Sequence, residues 1–111
     1  MDLMEGTVRV KGTKENVLAM YNNIEDYYDK ELLSEAGTDD DYEIEFDFSS
    51  RLISFLEYEY FLGYSEEYDC HIVAEMQAED MEDEEEMMVL EYDKGEIITG
   101  LSEYGIELGE W

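Results

Sequence analysis

The groups in this chain that could do chemistry are overwhelmingly carboxylates: 33 Asp and Glu, against 6 Lys and Arg, one His and one Cys. Two carboxylates flanking a bond can hydrolyse a glycoside. With so many acids, however, pairs at catalytic spacing arise by chance. A field this negative also raises carboxylate pKa values broadly, so no pair is singled out. Carboxylate oxygens also ligate calcium, but an EF-hand loop needs alternating acids, a central Gly and a closing Glu. Asp39-Asp40-Asp41-Tyr42-Glu43 and Asp80-Met81-Glu82-Asp83-Glu84-Glu85-Glu86 have the charge and lack the Gly. Cys70 and His71 are the one thiol–imidazole neighbour pair. Adjacent residues on a strand point to opposite faces, so a buried Cys and a structural His are expected there, not a catalytic dyad. The acid-x-Lys spacing of metal-dependent nucleases fails at Lys94, which Tyr92 precedes by two, and Lys30 beside Asp29 reads as a surface pair on a helix. No phosphate-cradling Gly-Lys-Ser/Thr motif, dinucleotide glycine pattern or CxxC is present. The expectation is a protein that is not an enzyme, with no cofactor and no dedicated metal site.

The net charge is −27 over 111 residues, where small domains ordinarily hold a magnitude of about 2–8. Such charge can mean disorder. Yet Leu, Ile, Val and Phe are 26 of the 111 residues, about 23%, above the ~20% below which a highly charged chain is expected to stay unfolded. Ten Tyr and one Trp add area that can be buried. A single folded domain over residues 1–111 is expected, with no proline and no Gly/Ser linker. One cysteine suits a reducing, cytoplasmic setting. The start Met1-Asp2-Leu3-Met4-Glu5 lacks the basic and apolar regions of a signal peptide. No apolar stretch approaches the ~20 residues of a membrane span. Anionic lipid and nucleic acid would repel this chain, so basic proteins are its natural partners.

The elements that must position these acids follow from periodicity. Gly6 to Gly12 alternates Val8 and Val10 with Thr7, Arg9 and Lys11, a half-buried strand beside which half of the basic residues (Arg9, Lys11, Lys14) cluster. Thr13 can cap a helix with Glu15 in its first turn. Val17, Tyr21, Ile24, Tyr28 and Leu32 step by three and four, predicting a helix of about four to five turns with Glu25, Asp26, Asp29 and Glu31 outside. Gly37 to Asp41 reads as a loop. In Tyr42 to Phe48, Ile44, Phe46 and Phe48 share one face and Glu43, Glu45 and Asp47 the other. Residues 49–64 fit either a helix over 51–62 burying Leu52, Phe55, Leu56 and Phe61, or a strand alternating Glu57 and Glu59 with Tyr58 and Tyr60; helix is favoured. Ile72, Ala74, Met76 and Ala78 alternate with Glu75, Gln77 and Glu79, which favours a strand, although the acidic, Met-rich stretch 74–87 also fits a helix. An acidic loop over 80–86 leads to a returning strand with Met88, Leu90 and Tyr92, then a turn at Asp93-Lys94-Gly95. The sum is an α+β domain, a mostly antiparallel sheet with one or two helices packed on one face.

Val-Arg-Val-Lys-Gly-Thr-Lys-Glu-Asn at 8–16 and Tyr-Asp-Lys-Gly-Glu at 92–96 resemble the small ferredoxin-like domains of phage and plasmid proteins. The resemblance covers about half of the chain and implies a mobile-element origin, with no activity attached.

A strand sets alternate residues about 6.6–6.8 Å apart, a spacing comparable to that of successive phosphates. Carboxylates accept the forked hydrogen bonds that Arg offers to phosphate. The row Glu43, Glu45 and Asp47 and the acids Asp39, Asp40, Asp41, Glu57, Glu59, Glu75, Glu79, Asp80, Glu82, Asp83, Glu84, Glu85 and Glu86 are therefore the candidate partner-binding residues. Tyr58, Tyr60, Tyr64 and Tyr68, interleaved with Glu66, Glu67 and Asp69, add amphipathic anchors suited to an interface. Size, acidity and absent catalytic motifs together resemble the phage-encoded DNA-mimic inhibitors of the anti-CRISPR and anti-restriction type. That resemblance implies as partner an RNA-guided nuclease or surveillance complex, or a restriction enzyme, met in the host cytoplasm. Two alternatives stay open at this point, an acidic calcium-binding protein and an acidic chaperone or immunity partner of a basic protein; a homodimer through the tyrosines also stays open.

Dense like charge predicts that salt stabilises the fold. The melting temperature should rise between about 0.01 M and about 1 M ionic strength, as the screening length falls from about 30 Å to about 3 Å. A flat or falling curve in a circular-dichroism melt would contradict the reading.

Overall fold

A computed structural model describes residues 3–25, 27–51, 60–78 and 88–100. In chain order they form β1 (Leu3–Gly12), α1 (Lys14–Asn23), β2 (Tyr27–Gly37), β3 (Tyr42–Arg51), α2 (Tyr60–Glu67), β4 (His71–Ala78), β5 (Met88–Asp93) and β6 (Glu96–Thr99). The sheet has the order β2-β3-β1-β4-β5-β6, and every neighbouring pair is antiparallel. The first six elements, with β3 between β1 and β2 and β4 on the far side of β1, make the ferredoxin-like arrangement expected from the sequence. β5 and β6 extend it beyond β4, so the sheet is larger than that of the usual ferredoxin-like domain.

Alternation decides which residues each strand buries. Val8 and Val10 of β1, Ile44, Phe46 and Phe48 of β3, Ile72, Ala74 and Met76 of β4, and Leu90 and Tyr92 of β5 all lie on one face and are buried. Helices α1 and α2 close that face with Val17, Met20 and Phe61. Burying one such side chain is worth about 1.5–3 kcal/mol. Phe46 and Phe48 meet edge-on at 6.3 Å, Tyr21 sits 5.0 Å from Phe46, and Phe61 sits 5.3 Å from Phe48. Such pairs add about 0.5–1.5 kcal/mol each beyond their area. The aromatic residues of β3 thus glue both helices to the sheet centre.

Local chemistry sets the element ends. The Thr13 hydroxyl accepts from the Asn16 amide at 3.2 Å and caps α1. Ser65, buried in α2, donates to the Leu62 carbonyl at 2.7 Å and accepts from the Gly95 amide at 3.1 Å, tying the helix to the β5–β6 turn. That turn carries positive φ at Lys94 (49°) and Gly95 (90°), the signature of a two-residue I′ hairpin.

Three expectations are corrected. The long helix ends at Asn23, and residues 27–37, assigned to it through Tyr28 and Leu32, form β2. β2 is an edge strand with register shifts around Tyr28 and Leu33, and these extra residues break the two-residue alternation and leave apolar steps that mimic helical spacing. Lys30, expected to pair with Asp29 on a helix surface, points to the helix side of the sheet. Its ammonium donates to the Tyr21 carbonyl at 2.6 Å and lies 4.4 Å and 4.6 Å from the ring centres of Tyr21 and Tyr27. Arg51, expected to open a helix over 51–62, belongs to β3; a helix is described at Tyr60–Glu67, and residues 52–59 lie outside the described residues. Phe61 is buried as expected, while Leu52, Phe55 and Leu56 lie outside the described residues. The acidic loop over 80–86 also lies outside them.

Two glycines separate packing from propensity. A Cβ on Gly6 would run into the Glu75 carbonyl of β4, whereas a Cβ on Gly63 of α2 meets nothing within 4 Å. Gly63→Ala should stabilise by up to about 1 kcal/mol, and Gly6→Ala should lower the melting temperature sharply. Denaturant titration of the two variants checks this, and equal effects would contradict the close β1–β4 approach.

Candidate functional site

The sheet face opposite the helices carries the charge. Antiparallel register aligns its side chains in cross-strand rungs. One rung runs Glu31–Asp47–Thr7–Glu75–Val89, the next Ser34–Glu45–Arg9–Val73–Glu91, and a third Ala36–Glu43–Lys11–His71–Asp93. A fourth, at the other end of β1, is Asp29–Ser49–Glu5–Gln77. Their carboxylates are exposed or half-buried. At a strand spacing of about 4.7–4.9 Å, the acids of β2 and β3 form one rank and those of β4 and β5 another, with β1 between them.

The chain has few bases to neutralise these ranks, and the register sets two of them, Arg9 and Lys11, between β3 and β4. Arg9 stands beside Glu45 and Lys11 beside Glu43. The Arg9 guanidinium meets Glu75 at 3.0 Å and the Lys11 ammonium meets Asp41 at 3.6 Å. His71 lies between Glu91, 2.8 Å from its Nε2, and Asp93, 3.3 Å from its Nδ1. These pairs are solvent-accessible, so each contributes at most about 1 kcal/mol. The greater effect of Arg9 and Lys11 is positional, since their two cations on β1 stand between two like-charged ranks. Among the remaining described bases, Lys14 lies 5.3 Å from the Tyr42 ring centre and Lys94 is in the β5–β6 turn. Neither Lys14 nor Lys30 lies on the charged face.

Of the expected partner-binding residues, Glu43, Glu45, Asp47 and Glu75 share this face. Asp39, Asp40 and Asp41 form the exposed turn between β2 and β3, closed by the Thr38 amide on the Asp41 carbonyl at 2.9 Å. Glu57, Glu59, Glu79, Asp80, Glu82, Asp83, Glu84, Glu85 and Glu86 lie outside the described residues. Glu5, Asp29, Glu31, Glu91 and Asp93 belong to the face and were missed. Glu91 and Asp93 alternate with Leu90 and Tyr92, and Glu5 is in phase with Thr7 and Arg9, so their signal was present. Asp29 and Glu31 were hidden by the helical reading of β2. A depression of about 360 Å³ opens over Gly6, with Glu5, Asp29 and Asp47 around it and Thr7, Ser49 and Gln77 among its polar lining.

Among the described residues no group of three or more His, Cys, Asp or Glu side chains is arranged to hold a metal ion. No described helix is long and apolar enough to cross a membrane. Cys70 and His71 separate as the strand rule requires, with Cys70 fully buried in the core and His71 on the charged face. Burial, then the charges of Asp69 and Asp93, push the Cys70 thiol up to about 12. Burial raises the Tyr21 and Tyr68 hydroxyls, and a hydrogen bond to Glu35 raises that of Tyr42.

All four groups keep their protons longer folded than unfolded. The unfolded chain therefore binds fewer protons in alkali, and stability falls as pH rises. For Cys70 the contribution is complete below its ordinary value of 9.0 and is lost as pH climbs toward about 12. Stability measured by urea titration should decline from about pH 9 upward, and Cys70→Ala should flatten that decline. An unchanged slope in the variant would contradict the burial of a neutral thiol. Comparison with protein-family models, with curated proteins and with solved structures found no match for the chain.

Proposed function

We propose that this protein is an inhibitor of phage or mobile-element origin that stands in for nucleic-acid phosphates and blocks the DNA-binding groove of a host defence nuclease. The target is an RNA-guided complex, as for anti-CRISPR proteins, or a restriction enzyme, met in the host cytoplasm. The observation that carries the reading is the pair of carboxylate ranks on the face opposite the helices, Glu31, Glu43, Glu45 and Asp47 on one side of β1 and Glu75, Glu91 and Asp93 on the other.

A groove that reads DNA is lined with Arg and Lys that otherwise hold phosphate oxygens. Carboxylates on paired strands offer such side chains acceptors at repeating intervals, and ladder hydrogen bonds hold the strands in register before contact. Little ordering is then needed on binding. Arg9 and Lys11 lower the repulsion between the ranks without cancelling them. The depression bordered by Glu5, Asp29 and Asp47 offers a seat where one basic side chain of the groove can enter. Release of counterions from both surfaces supplies affinity that falls with salt.

The test is competition. The protein should displace target duplex from one member of a panel of RNA-guided complexes and restriction enzymes, less so as salt rises. Neutralising Glu43, Glu45 and Asp47 together (E43Q/E45Q/D47N) should weaken displacement by about tenfold or more, while Glu15→Gln on α1 leaves it unchanged. Unaltered DNA binding across the panel, or equal inhibition by the triple variant, would overturn the proposal.

A further inference from the structure

The helical side of the molecule holds a second, chemically different feature. Tyr60, Tyr64 and Tyr68 follow one another at four-residue steps along α2 and its closing turn, where the Tyr68 amide donates to the Tyr64 carbonyl at 3.0 Å. Four-residue spacing places their rings on one helix face. The ring centres lie 5.6 Å apart for Tyr60 and Tyr64, and 6.4 Å apart for Tyr64 and Tyr68, whose planes are within 13° of parallel. The segment after α1 secures the ladder. The Glu25 amide donates to the Tyr64 hydroxyl at 3.0 Å, and the Tyr60 hydroxyl donates to the Glu25 carbonyl. Rings and segment border a cleft of about 390 Å³ that Asn23, Glu25, Gly63 and Glu67 complete.

The charged and aromatic residues that line this cleft favour positive charge. Glu25 and Glu67 are exposed at its rim, and both help to hold the Tyr68 proton on, behind the larger effect of burial. The last turn of α2 has no basic residue, yet Glu66 and Glu67 stand there. The carbonyl end of a helix is already negative, so these acids add to an uncompensated negative potential. Gly63 is not demanded by packing, since nothing lies within 4 Å of where its Cβ would be. A glycine inside a helix is nonetheless unfavourable, and here it leaves one wall of the cleft bare. Phenol faces attract cations, most of all a planar, weakly hydrated one that can stack.

We infer that the cleft between α2 and the α1–β2 connection is a binding site for a guanidinium group, the side chain of an arginine on a partner protein. The planar cation stacks on the tyrosine ladder, and its N–H groups donate to the carboxylates of Glu67 and Glu25. The site is on the opposite side of the sheet from the carboxylate ranks. It therefore stands or falls separately from the phosphate-mimic reading, and a partner using both must wrap around the domain.

Titration of the full chain with N-acetyl-arginine amide, followed by amide NMR, tests the inference, with the neutral isostere N-acetyl-citrulline amide as control. The arginine compound should give saturable shifts at Gly63, Tyr64, Glu67 and Tyr68, and the citrulline compound should not. Glu67→Gln, an exposed change that leaves the fold intact, should weaken binding about two- to fivefold, and Tyr68→Leu should weaken it by a similar factor. Equal shifts with citrulline, shifts spread evenly over Glu43, Glu45 and Asp47, or unchanged affinity in Glu67→Gln would each overturn it.

Discussion

The structure depends on one constraint: a chain with net charge −27 must bury enough apolar area on one side of a sheet to hold together what its charges push apart. The aromatic residues of β3 meet that constraint. Phe46 and Phe48 sit at the sheet centre, contact Tyr21 of α1 and Phe61 of α2, and fix both helices on the same face. Strand geometry then leaves no choice about the other face. Each buried Ile44, Phe46 or Phe48 forces an outward Glu43, Glu45 or Asp47. The site and the core are two consequences of one alternation.

Charge placement follows the same economy. The few bases are not scattered as solubilising partners. Arg9 and Lys11 occupy the one strand that separates the two acidic ranks, where each reduces repulsion on both sides. Lys14 and Lys30 lie over tyrosine rings away from that face, and Lys30 is buried enough for its pKa to be lowered. The charged face therefore keeps most of its negative potential while its centre is held by ion pairs. On the helical side, α2 ends in acids with no base in its last turn, so the negative potential there is also left unbalanced.

Much of this was legible in the residues. Strict alternation identified β3, β4 and β5, with their core positions, because each lies inside the sheet and is buried on one face. Thr13 announced the start of α1, and Asp93-Lys94-Gly95 the hairpin turn. β2 was not legible. It lies at the sheet edge, is exposed along nearly its whole length, and carries two bulges, so no buried face imposed a period of two on Tyr27 to Gly37. The misreading hid Asp29 and Glu31 from the site. The pairing of Arg9 with Glu75 and of Lys11 with Asp41 was also out of reach, because register between strands distant in sequence is set by tertiary packing. The tyrosine cleft was half visible. Tyrosines interleaved with acids, Tyr60, Tyr64 and Tyr68 among them, suggested an interface, but their common helix face and the contribution of Glu25 required the fold.

Under the proposed function, the face opposite the helices, and not acidity in general, meets the partner's basic groove. Carboxylate footprinting distinguishes the two: carbodiimide-driven labelling of Asp and Glu, read by mass spectrometry, with and without a nuclease complex that captures the protein. Protection is expected at Glu43, Glu45, Asp47, Glu75 and Glu91, with Glu15 and Glu66 on the helical side labelled as in the free protein. Labelling of the sheet-face acids that is unchanged by the complex, or protection spread uniformly over both sides, would contradict it.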